Sequence, residues 1–308
     1  MHQDTDGTRP QAAGAPLLDS RVELREFLRT RRARLKPEDV GLASYGTTRR
    51  RVQGLRREEL AMLAGVSVAY YTRLEQGNGR NVSVEVLDAI AVALQLDEAE
   101  HAHLVHLVRP TTRRGTRRGH RPAPAREGLQ QLVDAMEASP AYIAGARSEI
   151  LVWNRTAAAV FGDWGALPPA ERNWARLVFL SPAYRDLLVD WERKAGDIVS
   201  HLHLYAGQHP KDPDLSTLVG DLSVRSADFR RLWATHNVKD KSHGVKRLRH
   251  PLVGELTLSF ESLLLPENRE QYLCVYTAKA GSPSAEALRL LTSWGPDEAN
   301  TSPHAGRF

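Results

Sequence analysis

Through most of this chain apolar residues recur every three or four positions, and towards the C-terminus the spacing drops to two. The helical rhythm begins at Asp19 or Ser20, which caps a helix running to about Leu35, and resumes after a Pro- and Gly-containing loop. There Leu60, Ala64, Val66, Tyr71 and Leu74 fall on one inward face of two short helices. Ser83 caps the next, in which Val86, Leu87, Ile90 and Leu94 form one stripe, and Glu98 to Val108 reads as a fifth. Helices are then predicted over Glu127–Ala138, Asn154–Phe161, Pro182–Ala206, two within Leu215–His236, and Ser284–Trp294. AYIAGA and EILVW read as short strands around a turn. Leu256, Leu258 and Phe260, then Tyr272, Cys274 and Tyr276, alternate with polar residues as half-buried strands do. Strands at both ends of the second half, with helices between, predict an antiparallel sheet covered by helices. The expected fold class is α+β overall, an all-α five-helix domain followed by an α+β domain.

The stretch RREELAMLAGVSVAYYTRLEQ, closed by Gly77, carries the sharpest local signal. Its two short helices and tight turn are the arrangement that lays a helix in the DNA major groove. Ala61 is small where the helices cross closely, Gly65 supplies the left-handed turn, and Ser67 caps the second helix. An αα-hairpin without a nucleic-acid role is the bland alternative. The second helix would present Val68, Ala69, Thr72 and Arg73 outward, with Tyr70 near the sugar-phosphate edge. Arg73 can donate a bidentate pair to guanine, and Val68 or Ala69 can meet a thymine methyl. Arg56 and Arg57 open the first helix and would contact phosphate, so the DNA-binding set is Arg56, Arg57, Ser67, Val68, Ala69, Tyr70, Thr72 and Arg73. Further arginines at 29, 31, 32, 34, 49, 50 and 51 add positive charge, the first four partly as a solvated helix face.

Charge placement divides the chain. Of the net +5, the segment 109–126 alone contributes seven arginines and no acid, so the remainder is −2. Its Pro, Gly and Arg content cannot build a core and reads as an extended basic linker that follows phosphates. The expected organisation is a disordered N-terminus (1–19), a DNA-binding domain (20–108), the linker (109–126), a second domain (127–296) and a disordered tail (297–308). The 42% hydrophobic and 26% charged content fits a soluble globular chain of 308 residues, long enough for two domains. No 18-residue apolar run and no signal pattern are found, and a single cysteine, Cys274, fits a reducing cytoplasm.

The motif stretch resembles the DNA-binding head of Cro/lambda-repressor-like regulators, the xenobiotic-response-element class. The second half is similar to the MmyB-like ligand-binding domain of actinobacterial regulators, through ILVWNRTAAAVFGD, ARLVFLSPAYRDLLVDWERKAGDIVSHL, DLSVRSADFRRLWATHNV, GVKRLRHPLVGELTLSFESL and VYTAKAGSPSAEALRLL. The resemblance runs from about Leu24 to Trp294 and implies a PAS-like fold binding a fatty-acid-like or other small apolar ligand. Family members usually carry arginine where His203 stands and often histidine where Lys241 stands.

All six tryptophans lie in the second half, and an aromatic-lined pocket with a few polar groups is what small-ligand sites look like. Large core residues are the plain alternative. The candidate ligand-binding set is Trp153, Asn154, Phe161, Trp191, His203, Phe229, Trp233, His236 and His250, with Trp153, Trp191 and Trp233 bordering one cavity and His236 and His250 at its polar mouth. Arg176 and His201 are further candidates for a carboxylate-binding end. His101, His103 and His106 lack the i, i+4 spacing of a zinc pair, and no catalytic elbow, phosphate loop or dinucleotide fingerprint occurs. The sequence therefore predicts a cytoplasmic, sequence-specific transcription regulator without enzymatic activity, metal or cofactor, acting as a homodimer on double-stranded operator DNA. A second domain that only dimerises or recruits a protein is the alternative to ligand sensing.

Overall fold

The computed structural model describes residues 19–42, 54–109, 125–238 and 242–299. Of the ends expected to be disordered, 1–19 and 297–308, residues 1–18 and 300–308 lie outside the described residues, as do the arginines at 49–51, nearly all of the basic linker and Lys241, whereas Asp19 caps the first helix and 297–299 close the last one. Among those described, the chain is α+β, with a helical N-terminal domain and a C-terminal domain built on a five-stranded sheet.

The head contains α1 (Ser20–Arg34), α2 (Arg57–Leu63), α3 (Val68–Glu75), α4 (Val84–Ala93) and α5 (Glu98–Val108). Asp19, Ser67, Ser83 and Asp97 cap α1, α3, α4 and α5 by accepting from backbone N–H groups of the first turn. Gly65 and Gly77 take φ of 64° and 88°, the left-handed values that stop α2 and α3. At Gly77 a side chain would also collide with the Arg21 backbone of α1. Leu24, Phe27, Leu28, Leu60, Tyr71, Leu74, Leu87 and Ile90 fill one apolar core. The partly solvated reading of the α1 arginines is corrected at two positions. Arg29 and Arg34 are exposed, whereas Arg31 and Arg32 are buried, because each meets a buried carboxylate.

In the second domain α6 (Glu127–Asp134) precedes β1 (Ala141–Gly145) and β2 (Ile150–Trp153). Then come α7 (Arg155–Phe161), α8 (Trp174–Leu180), α9 (Pro182–Leu187), α10 (Trp191–Gln208), α11 (Pro213–Arg225) and α12 (Ala227–Trp233). Strands β3 (His243–His250), β4 (Gly254–Leu265) and β5 (Asn268–Thr277) follow, and α13 (Pro283–Ala299) ends the described chain. The order is β2-β1-β5-β4-β3, every pairing antiparallel. Ile143, Val152 and Leu273 face α6 with Leu129 and Val133. The opposite face, bearing Tyr142, Leu258, Phe260, Cys274 and Tyr276, packs with α7, α8, α10 and α13 in the main core.

Two expectations change. The single helix over Pro182–Ala206 is two, α9 and α10. Leu188 and Val189 leave the helix to bridge β3, and Val189 N–H donates to the Arg247 carbonyl at 3.1 Å. Strand β3 was not among the predicted elements. Of the described helices, none is long and apolar enough to cross a membrane.

Candidate nucleic-acid interface and ligand cavity

On the head, α3 turns Tyr71 and Leu74 inward and leaves Ser67, Val68, Ala69 and Arg73 exposed, with Tyr70 and Thr72 half-buried. The Arg73 guanidinium lies 5.7 Å from the Tyr70 ring centroid, so the two form one outward patch. Arg56 stands exposed as the N-cap residue of α2, its backbone N–H held by Glu59 at 2.6 Å.

Arg57 is tied differently from a simple phosphate contact. Its Nε pairs with Glu75 of α3, whose other oxygen accepts from Arg32 Nε of α1 at 2.7 Å. Glu75 is 2% exposed, while the Arg57 side chain remains half-exposed. Tyr71 Oη adds a 3.4 Å contact to the same carboxylate. One buried acid thus locks α3 to both preceding helices; Glu75 was not singled out by the sequence reading, which took Arg32 only as part of a basic run. The signal available was an acidic residue interrupting the apolar face of α3.

In the second domain a cavity of about 230 Å³ lies between the sheet and α10. Its wall carries Tyr142, Trp174, Phe260, Tyr272 and Tyr276, together with Cys274 and Ser262. The register explains the convergence. Tyr142 pairs with Cys274 and Cys274 with Ser262, Phe260 with Tyr276, and Leu264 with Tyr272, so all share one sheet face. Its polar residues include Lys194, Asp197 and His201 from α10 and Lys246 from β3. Lys246 Nζ lies 3.5 Å from Asp197 and 5.0 Å from the Phe260 ring centroid; Lys194 Nζ lies 4.7 Å from that of Trp174. Burial raises the Cys274 thiol and both tyrosine phenols, Tyr142 and Tyr276, above their ordinary values, so these groups stay neutral.

None of the nine sequence-derived ligand candidates lines this cavity, and each has a structural occupation. Asn154 Oδ1 accepts from the backbone N–H of Ala141 and Ala157, and its Nδ2 donates to the carbonyls of Met136 and Ser139. Trp153 stands edge-on to Trp164 and under Arg172, and Phe161 stacks on Trp164. Trp191 Nε1 donates to the Val178 carbonyl at 2.9 Å, and Arg185 covers its ring. Phe229 stacks on Trp233, which stacks in turn on His203. His250 donates from Nε2 to the Ala159 carbonyl and accepts the Leu252 N–H at Nδ1; burial lowers its pKa, and this neutral ring is a structural pin. Trp153, Trp191 and Trp233 take no part in the lining of this cavity. Of the two further polar candidates, His201 reaches the wall, whereas Arg176 pairs with Asp221.

His203 and His236 lie instead at the seam between the domains. His203 Nδ1 and His236 Nδ1 face one oxygen of Glu23, on α1 of the head, at 3.4 and 3.3 Å. Beside them Arg31 Nη2 donates to the His236 carbonyl at 2.6 Å, and Arg31 and Arg34 both ion-pair with Glu100 at 2.9 Å. Leu204 of α10 and Val238 pack into the head's apolar core. At Gly207 a Cβ would come within 2.7 Å of His103 Nδ1, so α5 and α10 approach through the missing side chain.

Residues 125–291, over half of the chain, match the MmyB-like transcription regulator ligand binding domain family, and residues 23–104 match a helix-turn-helix domain family. No curated protein matches the chain significantly.

Proposed function

The chain belongs to the MmyB-like transcription regulators and is a DNA-binding regulator with a C-terminal ligand-binding domain; on that premise we propose that the cavity takes a small apolar ligand with an acidic head, fatty-acid-like in character. Occupancy then alters how two heads of a homodimer engage successive half-sites of an operator in the cytoplasm. The observation carrying this reading is the composition of the cavity, an aromatic wall on the sheet face with Lys194 and an Asp197-paired Lys246 in its lining. A carboxylate entering beside Lys194 and Lys246 would form charge-assisted hydrogen bonds while its alkyl chain lies on the tyrosine and phenylalanine rings.

Thermal melts with C12–C16 fatty acids test it. Bound acid raises the melting temperature of the wild type by mass action. Lys246→Ala weakens acid binding by about 1.5–3 kcal/mol, and leaves the affinity for an alcohol of equal chain length nearly unchanged. A wild-type melting point unmoved by every such acid would overturn the assignment in favour of a domain that recruits a protein partner.

A further inference from the structure

We propose that Glu23, His203 and His236 form a binding site for a zinc-type divalent cation, placed across the seam between the DNA-binding head and the ligand-binding domain. The three come from separated parts of the chain, and one donor atom from each lies within 4.8 Å of the others. All three are buried, His203 completely.

The hydrogen positions identify what this triad presents. His203 Nε2 lies 2.9 Å from the Trp233 carbonyl oxygen, which can only accept, so Nε2 carries the hydrogen. The other ring nitrogen, Nδ1, faces the Glu23 carboxylate at 3.4 Å. A buried carboxylate facing two imidazole nitrogens needs positive charge beside it, carried by a ring proton or by a metal ion. The two separations from Glu23 fit a bound metal ion. A charge-assisted N–H···O bond contracts to about 2.7–2.9 Å, whereas tetrahedral zinc with bonds of about 2.0–2.1 Å sets neighbouring donors about 3.3–3.4 Å apart. The observed separations are 3.3 and 3.4 Å.

The surroundings are those of a held ligand set. The Nε2–H bond from His203 to a carbonyl is the outer contact that fixes a metal-binding imidazole in its tautomer. Trp233 stacks on the His203 ring at 3.8 Å, preventing rotation. His236 sits at φ 48°, and Arg31 grips its carbonyl. Two imidazoles and one carboxylate suit zinc, cobalt or nickel and exclude the oxygen-seeking calcium and magnesium. The cation would join α1 to α10 and to the turn after α12, clamping the head onto the ligand-binding domain.

The test uses the full chain after dialysis against a chelator, with Zn²⁺ titrated in competition with a chromophoric chelator. Wild type should take one tight equivalent; Glu23→Gln and His203→Gln should each weaken that equivalent at least a hundredfold, while His101→Ala keeps it. Circular dichroism establishes that each variant is folded. Equal binding by wild type and the folded variants would overturn the site. Zinc K-edge absorption on loaded wild type needs no variant: two imidazoles with oxygen and no sulfur are expected, and a different imidazole count would overturn it. Absence of any tight equivalent in wild type would assign the triad to an imidazolium–carboxylate pair.

Discussion

At Glu75 one carboxylate takes the Arg32 Nε–H on one oxygen and pairs with Arg57 through the other, away from water. Glu75→Gln leaves two guanidiniums without a counter-charge, and removing one partner of a buried pair costs about 3–5 kcal/mol. Urea denaturation should register that loss, and DNA affinity should fall on every sequence alike, since no base-reading group has changed. Arg73→Ala should do the converse. Arg73 is exposed and away from the apolar core, so stability holds while preference at one operator position relaxes by about 1–3 kcal/mol. Binding to a panel of single-base operator variants separates the two patterns. Arg57 combines both behaviours: its loss removes a cation near the backbone and also half of the Glu75 pairing. A uniform fall in affinity at Arg57→Ala would therefore be accompanied by a measurable fall in head stability.

Where helix meets helix, α10 approaches α5 closely at Gly207. Gly207→Ala drives a methyl into the buried His103 ring, which is held edge-on to Phe27, and overpacking of this kind costs about 1–3 kcal/mol. Equilibrium denaturation should show the loss, and Gly196→Ala on the same helix, where a Cβ meets nothing, should not. The legibility of the elements follows their exposure. Five head helices could be read because caps at Asp19, Ser67 and Ser83 and stripes such as Leu87, Ile90 and Leu94 all agree. Strand β5 was legible from Tyr272, Cys274 and Tyr276, and those alternating residues turn out to line the cavity. Strand β3 escaped notice because it is an edge strand whose inward positions are Gly244, Lys246, Leu248 and His250, only one of them a large aliphatic. The break between α9 and α10 has no local cause. It is imposed by pairing to β3, where Arg247 also grips Asp190 at 2.9 Å. The ligand candidates lie away from this cavity for a related reason. Aromatic identity marks a large buried ring, but only the register decides whether that ring faces a cavity or a neighbouring helix, as Trp174 and Trp191 respectively do.

Across the whole molecule, the seam gives the fold a defined response to acid. Burial between α1, α5 and α10 depresses His103 from its ordinary value of 6.5 to about 3. The unfolded chain takes up this proton near pH 6.5, whereas the folded one resists it until about pH 3. Stability from the neutral ring is thus fully present above pH 6.5 and is lost as pH falls through that window, at up to about 1.4 kcal/mol per pH unit. His103→Leu should flatten the stability–pH profile between pH 6 and 4 by about that slope, measured by urea titration at each pH.

The docking of Val238 and Leu204 into the head's core means that the spatial boundary between the two bodies does not coincide with the basic segment separating them in sequence. Excision at that segment would produce two fragments with complementary wounds: a head whose apolar core lacks Val238 and Leu204, and a remainder presenting those aliphatic side chains to water. Arg31 would be left with a guanidinium stripped of its carbonyl acceptor, half inside a core. Such fragments would be expected to find one another again in solution, recombining as separate chains along the same surface that the intact polypeptide closes on itself.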